Sequence, residues 1–415
     1  MDRTRAGVMG DILFLAHRVP FPPDRGDRIR SHNLLKALTQ LGPVHVGCFA
    51  EGDDRAGEGA LAQIAASHCI APRTKPLPLA GVEAVLAGKP VSLTAFHSRK
   101  LERWVHDTIA ARSISAIVVF SGQMGQYIPD DYAGRVVIDL CDVDSAKFAS
   151  YAEAGERVWL NTREARLLAA EEERLGQRAD ATILISDAEA ALYRSRLCEP
   201  DRVNVQVIGN GIDAGFFNPA GVTPYPVIAG LPGPHFTFTG QMDYRPNEQA
   251  ALWVIEALMP NLRARYPGAM FHVVGRNPTG RLMAHHGTLG VQVWGEVPDV
   301  RPFLAAADAV LAPLLIARGV QNKVLEAMAM ARPVVLTPDA ATGIAAEDDK
   351  HWLIGEADPA VMCARIEGLL AEPDACARIG AAARQFVRDQ HGWEAMMAPL
   401  TGLAGIGEGR TRHAA

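Results

Sequence analysis

The sequence predicts an α/β protein of two lobes, each with a parallel sheet covered by helices on both faces. Three observations predict it. At 415 residues the chain is longer than one hydrophobic core ordinarily organises. Short apolar runs bounded by turn residues alternate with amphipathic helical patterns, and that alternation calls for parallel pairing. The same rhythm then starts a second time after residue 234.

In chain order, the first lobe offers strands from Ile12 to Ala16, Val44 to Phe49, Ile117 to Phe120, Val136 to Leu140, Ala181 to Ile185 and Val205 to Ile208. The opening MDRTRAGVMGDILFLAHR has charges and then an apolar run too brief for a signal peptide, with no small-residue cleavage site, so it reads as the first strand. Residues 218–234 (NPAGVTPYPVIAGLPGP) are rich in Pro and Gly without a clean period and read as a linker. The second lobe offers strands from Phe236 to Thr239, Met270 to Val274, Val291 to Trp294, Ala309 to Ala312 and Val334 to Thr337. The expected domains are therefore 1–217, a linker at 218–234, and 235–390. Ligands of open α/β sheets sit at the carboxyl ends of strands, which points to a substrate cleft between the lobes.

An apolar content of 48% and a charged content of 21% are those of a globular protein, and no apolar run is long enough to cross a bilayer. The six cysteines lie far apart with no C-x-x-C or His/Cys cluster, which indicates neither zinc nor a disulfide framework and fits a reducing cytoplasm. A net charge of -6 argues against nucleic acid as a partner. Residues 1–110 nevertheless carry 14 Lys and Arg against 11 Asp and Glu. This mildly basic first lobe is consistent with peripheral contact with anionic lipid at the inner face of the cytoplasmic membrane, or with ordinary solvated surface.

The richest segment is Arg318 to Pro333 (RGVQNKVLEAMAMARP). Gly319 opens a loop, Asn322 and Lys323 stand at a helix start, and Glu326 follows one turn later, ahead of the strand beginning at Val334. Helix N-termini attract anions through their free N–H groups and dipole, Lys323 adds full charge, and a nearby carboxylate accepts hydrogen bonds from sugar hydroxyls. Together they suggest a diphosphate nucleotide. In the first lobe, Gly26 lies between the first strand and a helix, beside Asp27, Arg28 and Arg30, where a missing Cβ lets backbone approach a phosphate or sugar. Asp139, Asp142 and Asp144 cluster at a strand end; they read either as a reactive carboxylate group or, for Asp142 and Asp144, as caps for the helix that follows. Of the histidines, His17 at the end of the first strand is the one placed to act.

Several of these residues also carry a family resemblance. Val205 to Asp213 (VQVIGNGID), followed by Phe217 and Pro219, resembles the NG-(V/I)-D-x-x-x-F-x-P stretch of group-1, glycogen-synthase-like glycosyltransferases of GT-B fold. The second lobe continues the resemblance in order with Gly240, the VVG turn at Gly275, WGEVPD from Trp294, ADAVLAP from Ala307 and LEAMA from Leu325. The DLCDVDS run from Asp139 and the opening HRVPFPPDRGDRIR are similar to a bacterial subgroup associated with exopolysaccharide and exosortase systems.

The resemblance implies two facing Rossmann-like lobes and a C-terminal helix, about 391–415, crossing back onto the first. It implies a retaining, metal-independent transfer of a sugar from a nucleotide-diphosphate donor to a glycan or lipid-linked acceptor hydroxyl, with no cofactor. Glu326 matches the last Glu of the family's E-x7-E motif, which contacts the ribose. The first Glu of that motif falls on Arg318, a charge inversion. Its guanidinium either grips phosphate oxygens or points to solvent. The family's Arg and Lys after Gly240 are also absent, with Arg245 and Lys323 as the candidate replacements. The expected donor-binding set is Gly26, Gly240, Arg245, Gly319, Asn322, Lys323 and Glu326; Asp142, Asp144 and Arg318 are the candidate catalytic residues, and Asp27 and Arg28 the acceptor contacts. The rival readings are a nucleotide-sugar epimerase of the same fold and a non-catalytic nucleotide-sugar-binding subunit.

Overall fold

The computed structural model describes residues 10–51, 57–315, 317 and 319–405. Arg318 therefore lies outside the described residues. The chain divides into two compact units: one holds the residues up to Asn210 together with those from Met396 onward, the other runs from Gly211 to Ala395.

The first unit is a seven-stranded parallel sheet of β1 (Asp11–Ala16), β2 (Val44–Ala50), β3 (Ser67–Pro72), β4 (Ile114–Phe120), β5 (Arg135–Cys141), β6 (Ala181–Leu184) and β7 (Val205–Val207). Its order is β3-β2-β1-β4-β5-β6-β7, so the winding reverses between β1 and β4. There Leu13 pairs with Ile117 and Leu15 with Val119. Burial on both faces explains the unbroken apolar runs, with every residue of β2 buried. Its one polar member, His45, is satisfied by Asp11 at 2.9 Å and Ser67 at 2.7 Å.

The second unit repeats the plan with β8 (His235–Thr239), β9 (Met270–Val274), β10 (Val291–Gly295), β11 (Ala309–Ala312), β12 (Val334–Leu336) and β13 (Leu353–Ile354). The order β10-β9-β8-β11-β12-β13 reverses between β8 and β11. Both reversals leave a crevice beyond the carboxyl ends of the flanking strands, the usual ligand position in such sheets.

The described structure refines three expectations from the sequence. The Pro- and Gly-rich stretch 218–234 is packed within the second unit rather than running free: Ile228 is fully buried and Tyr225 stacks on Phe303 at 4.4 Å. The C-terminal segment forms two short helices, Trp393–Met397 and Leu400–Leu403, instead of one long one. In the first unit, the Leu403 carbonyl accepts a 2.9 Å bond from Arg135 Nε. Strands β3 and β13 do not stand out in the sequence, the former because SHCIAP begins with polar residues and the latter because it has two residues.

The NGID stretch is a turn held from both ends. On the first unit, Arg30 is almost fully buried and reaches the Ile208 carbonyl at 2.8 Å, the Gly209 carbonyl at 3.2 Å and Asn210 Oδ1 at 3.0 Å. Asp139, also buried, holds the same guanidinium at 2.8 Å. On the second unit, a Cβ at Gly211 would come within 2.6 Å of the Trp393 backbone, so only glycine fits there. Asp213 closes the turn by accepting from the Gly215 and Phe216 N–H groups at 3.0 and 2.8 Å.

Candidate functional site

In the second unit, three glycines end three neighbouring strands. Gly240, Gly275 and Gly295 follow or close β8, β9 and β10 with φ of 153°, 156° and 71°, conformations that side chains resist. A Cβ on Gly275 would fall 1.6 Å from the Gly240 carbonyl oxygen, so these turns touch backbone to backbone. A Cβ on Gly240 would meet Asn247 Nδ2 at 2.8 Å and Lys323 Nζ at 3.3 Å. The strand ends therefore form a side-chain-free floor beneath a lysine.

Lys323 belongs to the helix Asn322–Ala329, whose N-cap residue Gln321 gives no side-chain cap and turns its amide to the Gly319 carbonyl at 3.1 Å. Gly319 has φ of 68°, a left-handed conformation that glycine adopts without strain. The ammonium of Lys323 stands 4.8 Å above the Phe238 ring and donates to Asn247 Oδ1. Asn247 in turn donates from Nδ2 to the Gln241 carbonyl at 2.9 Å, which locks the loop after β8 to the lysine. Burial lowers the Lys323 pKa to about 8, with Glu326 acting the other way. Burial raises the Glu326 carboxyl, and Lys323 moderates the rise. No hydrogen bond or ion pair to the Glu326 carboxylate occurs among the described residues, so its oxygens are open to hydroxyl donors.

Two residues of this site went unseen in the sequence. Asn247 looks like an ordinary residue of a helix's first turn until the fold sets it against Lys323. Arg276, directly after the glycine of VVG, places its guanidinium on Gln241 Oε1 at 2.7 Å, and its carbonyl accepts from Met242 N–H at 2.9 Å. It brings a cation to the loop where the resemblance leads one to look for an arginine. Arg245 is instead the exposed first residue of the helix Arg245–Trp253, and Asn322 is likewise exposed at its helix start. The structure thus brings together Gly240, Lys323 and Glu326, and supplies Asn247 and Arg276 beside them.

In the first unit, β1 is followed by His17, whose ring stacks on Phe120 at 5.4 Å and meets Phe96 edge-on at 6.0 Å. Its Nε2 lies 3.3 Å from Asp27 Oδ2, and Arg18 donates to the same oxygen at 2.8 Å. Burial works to raise the Asp27 carboxyl, but the His17 hydrogen bond and the charges of Arg18, His17 and Arg25 outweigh it and hold it well below the usual carboxylate range. Asp27, expected at the acceptor, is thereby committed to fixing His17 and Arg18. Arg28, expected beside it, is buried and turns to Asp24 at 3.3 Å. Gly26 begins the helix Gly26–Thr39, and a Cβ there would meet nothing within 4 Å. The fold itself places no demand for glycine at 26, and the space above that helix start is open.

Asp142 and Asp144 follow β5. Neither caps the helix Asp144–Glu153, whose N-cap is Val143. The capping is done from elsewhere: Glu172 accepts from Ser145 N–H at 2.9 Å and from its hydroxyl at 2.6 Å, and Glu189 accepts from Val143 N–H at 2.9 Å. With the capping reading removed, both aspartates line a small hollow, no larger than a water molecule needs, shared with Gln123, Glu171 and Glu172. Burial and mutual repulsion raise the Asp142 carboxyl; burial raises that of Asp144, with Lys147 and His17 opposing. Burial, opposed by the Ser145 hydrogen bonds, also pushes Glu172 up to about 7. Among the described residues no group of three or more His, Cys, Asp or Glu has the geometry to hold a metal ion.

Two doubly wound parallel sheets, each with its polar groups at the strand carboxyl ends, define the GT-B class of α/β proteins. Residues 233–372 match the family model described as "Glycosyl transferases group 1", so the second unit carries a group 1 glycosyltransferase domain and the protein is a glycosyltransferase. Solved structures share the fold over nearly the whole chain. Sucrose-phosphate synthase from Thermosynechococcus elongatus is 16% identical, with a TM-score of 0.55 over 95% of this chain and 98% of that one. HepE from Anabaena in complex with UDP is 16% identical, with a TM-score of 0.56 over 95% and 99%. A glycosyltransferase from Rickettsia africae is 14% identical, with a TM-score of 0.58 over 95% and 97%. No curated protein sequence matches the chain.

Proposed function

We propose that the protein moves a sugar from a nucleoside-diphosphate donor to a hydroxyl of a glycan or lipid-linked acceptor, with retention of anomeric configuration. The observation that carries this reading is the Lys323 ammonium held by Asn247 above the Gly240–Gly275 floor, with the Glu326 carboxylate, which has no hydrogen bond or ion pair among the described residues, one turn away. A diphosphate laid on that floor meets a cation and no obstructing side chain, while Glu326 accepts from ribose hydroxyls. HepE, which shares the fold, is described in complexes with UDP and with UDP-glucose, which supports a nucleotide of this kind here.

As the glycosidic bond to the donor phosphate breaks, negative charge grows on the departing diphosphate. Lys323 and Arg276 are the groups placed to stabilise it, a task that metal ions perform in other enzymes, so the reading calls for no metal and no cofactor beyond the nucleotide sugar. On the acceptor side, Asp142 and Asp144, with raised carboxyls, are the candidates to receive the hydroxyl proton, and His17 is near enough to Asp144 to oppose part of its rise. The opening HRVPFPPDRGDRIR and the DLCDVDS run support bacterial exopolysaccharide or cell-surface polysaccharide synthesis at the inner face of the cytoplasmic membrane as the setting.

The test is calorimetric binding of UDP to the full chain and to Glu326→Ala. The variant should bind about tenfold or more weakly, the loss expected for hydrogen bonds to a charged group. Unchanged affinity would remove Glu326 from the site.

A further inference from the structure

The helix Leu77–Ala87 is packed with its sides exchanged. Its small residues Ala80 and Ala84 are the buried ones, while Leu79, Val82 and Leu86, spaced three and four residues apart, share the outward face. Leu86 is 83% exposed, the highest value among the large apolar residues of the described chain. A helix that exists only to cover a core puts its large side chains inward, so an outward leucine stripe marks a contact surface.

A second helix extends the stripe. Arg163 of the helix Val158–Arg178 clamps the end of the first, donating to the Ala84 carbonyl at 2.7 Å and the Lys89 carbonyl at 3.0 Å. One turn before Arg163, Trp159 is 69% exposed, next to an exposed Val158. Exposed tryptophan and leucine on two helices joined in this way have the composition of a lipid interface, where the indole sits at headgroup level.

Charge selects the occupant. In a chain of net charge -6, residues 73–103 carry six basic residues against two acidic ones. Lys89, directly after the helix, and Arg99, Lys100 and Arg103 beyond it have no carboxylate partner among the described residues. Cations without a carboxylate partner among the described residues, on the chain that follows an apolar stripe, complement an anionic bilayer. A second copy of this chain would set like charges against each other.

We propose that the first unit docks on anionic lipid surfaces through the outward face of Leu77–Ala87 and Trp159, with these helices lying in the headgroup plane. The inference rests on the reading that the acceptor is lipid-linked, since such a surface would bring the acceptor side of the enzyme to its substrate.

The experiment is co-sedimentation of the full chain with vesicles of phosphatidylcholine alone and of phosphatidylcholine mixed with phosphatidylglycerol, with UDP affinity measured on the same samples. Binding should be confined to the anionic vesicles, weaken with salt, and fall about tenfold or more in Leu79→Gln/Val82→Gln/Leu86→Gln and in Trp159→Ala, with UDP affinity unchanged. Wild-type protein that binds UDP but neither vesicle overturns the docking proposal and leaves the glycosyltransferase reading intact. Equal vesicle binding by wild type and both variants also overturns it, as does a concentration-dependent dimer in sedimentation velocity that the triple variant abolishes. Vesicle binding without UDP binding would support docking and count against the donor site.

Discussion

Lys323 supplies a pH signature of the donor site. Burial brings its pKa from the ordinary lysine range to about 8. If the charged form alone grips the diphosphate, the binding-competent fraction is close to complete at pH 7 and about one in ten at pH 9, so UDP affinity should fall about tenfold over that range. The UDP diphosphate is fully ionised across the upper part of this window, and the onset of uracil N3–H ionisation at its alkaline end is common to wild type and Lys323→Gln, so the difference between the two profiles belongs to the lysine. Bound diphosphate replaces the lost solvation and raises the lysine pKa again, so binding near pH 8.5 should take up about three quarters of a proton, read from calorimetry in buffers of differing ionisation enthalpy. Lys323→Gln should bind about ten- to a hundredfold more weakly at pH 7 and with no slope above it. A flat wild-type profile, or a slope that survives in Lys323→Gln, would refute the assignment of the buried ammonium to the diphosphate.

Three further outcomes follow from the packing. Gly275→Ala puts a methyl group 1.6 Å from the Gly240 carbonyl, and should lower stability by about 3 kcal/mol or more and abolish UDP binding. Denaturant titration and calorimetry check both. Arg30→Met leaves Asp139 buried and unpaired, so it should cost about 3–5 kcal/mol, whereas Arg30→Met with Asp139→Leu should recover most of the loss. In the second unit, His272 is fully buried, 3.1 Å from His235 and accepting from Trp294 Nε1 at 3.2 Å, and burial lowers its pKa to about 4. The unfolded chain binds the extra proton between its ordinary pKa of about 6.5 and 4, so this contribution is present above pH 6.5 and lost as pH falls toward 4. His272→Gln should flatten that part of the stability profile.

Much of this was legible in the sequence because it is local. Strands buried in a sheet announce themselves as apolar runs, which is why β1, β2 and β4 to β12 could be placed, while β3 and β13 carry too little apolar sequence. Gly240, Lys323 and Glu326 could be singled out as candidates because a glycine after a strand and charged residues at a helix start have a chemistry of their own. Asn247 and Arg276 could not, since their value lies in reaching Lys323 and Gln241 across loops that a sequence does not align. The partners of Asp27 were hidden for the same reason: its neighbours in sequence are arginines, but its partners in space include His17, just after β1. The cap reading of Asp142 and Asp144 failed because the cap comes from Glu172, on another helix.

The central claim is transfer from a nucleotide donor, and the most direct measurement is nucleotide release from UDP-, GDP- and ADP-sugars with and without an extract of cytoplasmic-membrane lipids and glycans. The account predicts nucleotide release from one of these donors that depends on the extract and is lost in Lys323→Gln. Isomerised sugar, or tight nucleotide binding with no turnover under any condition, would contradict it.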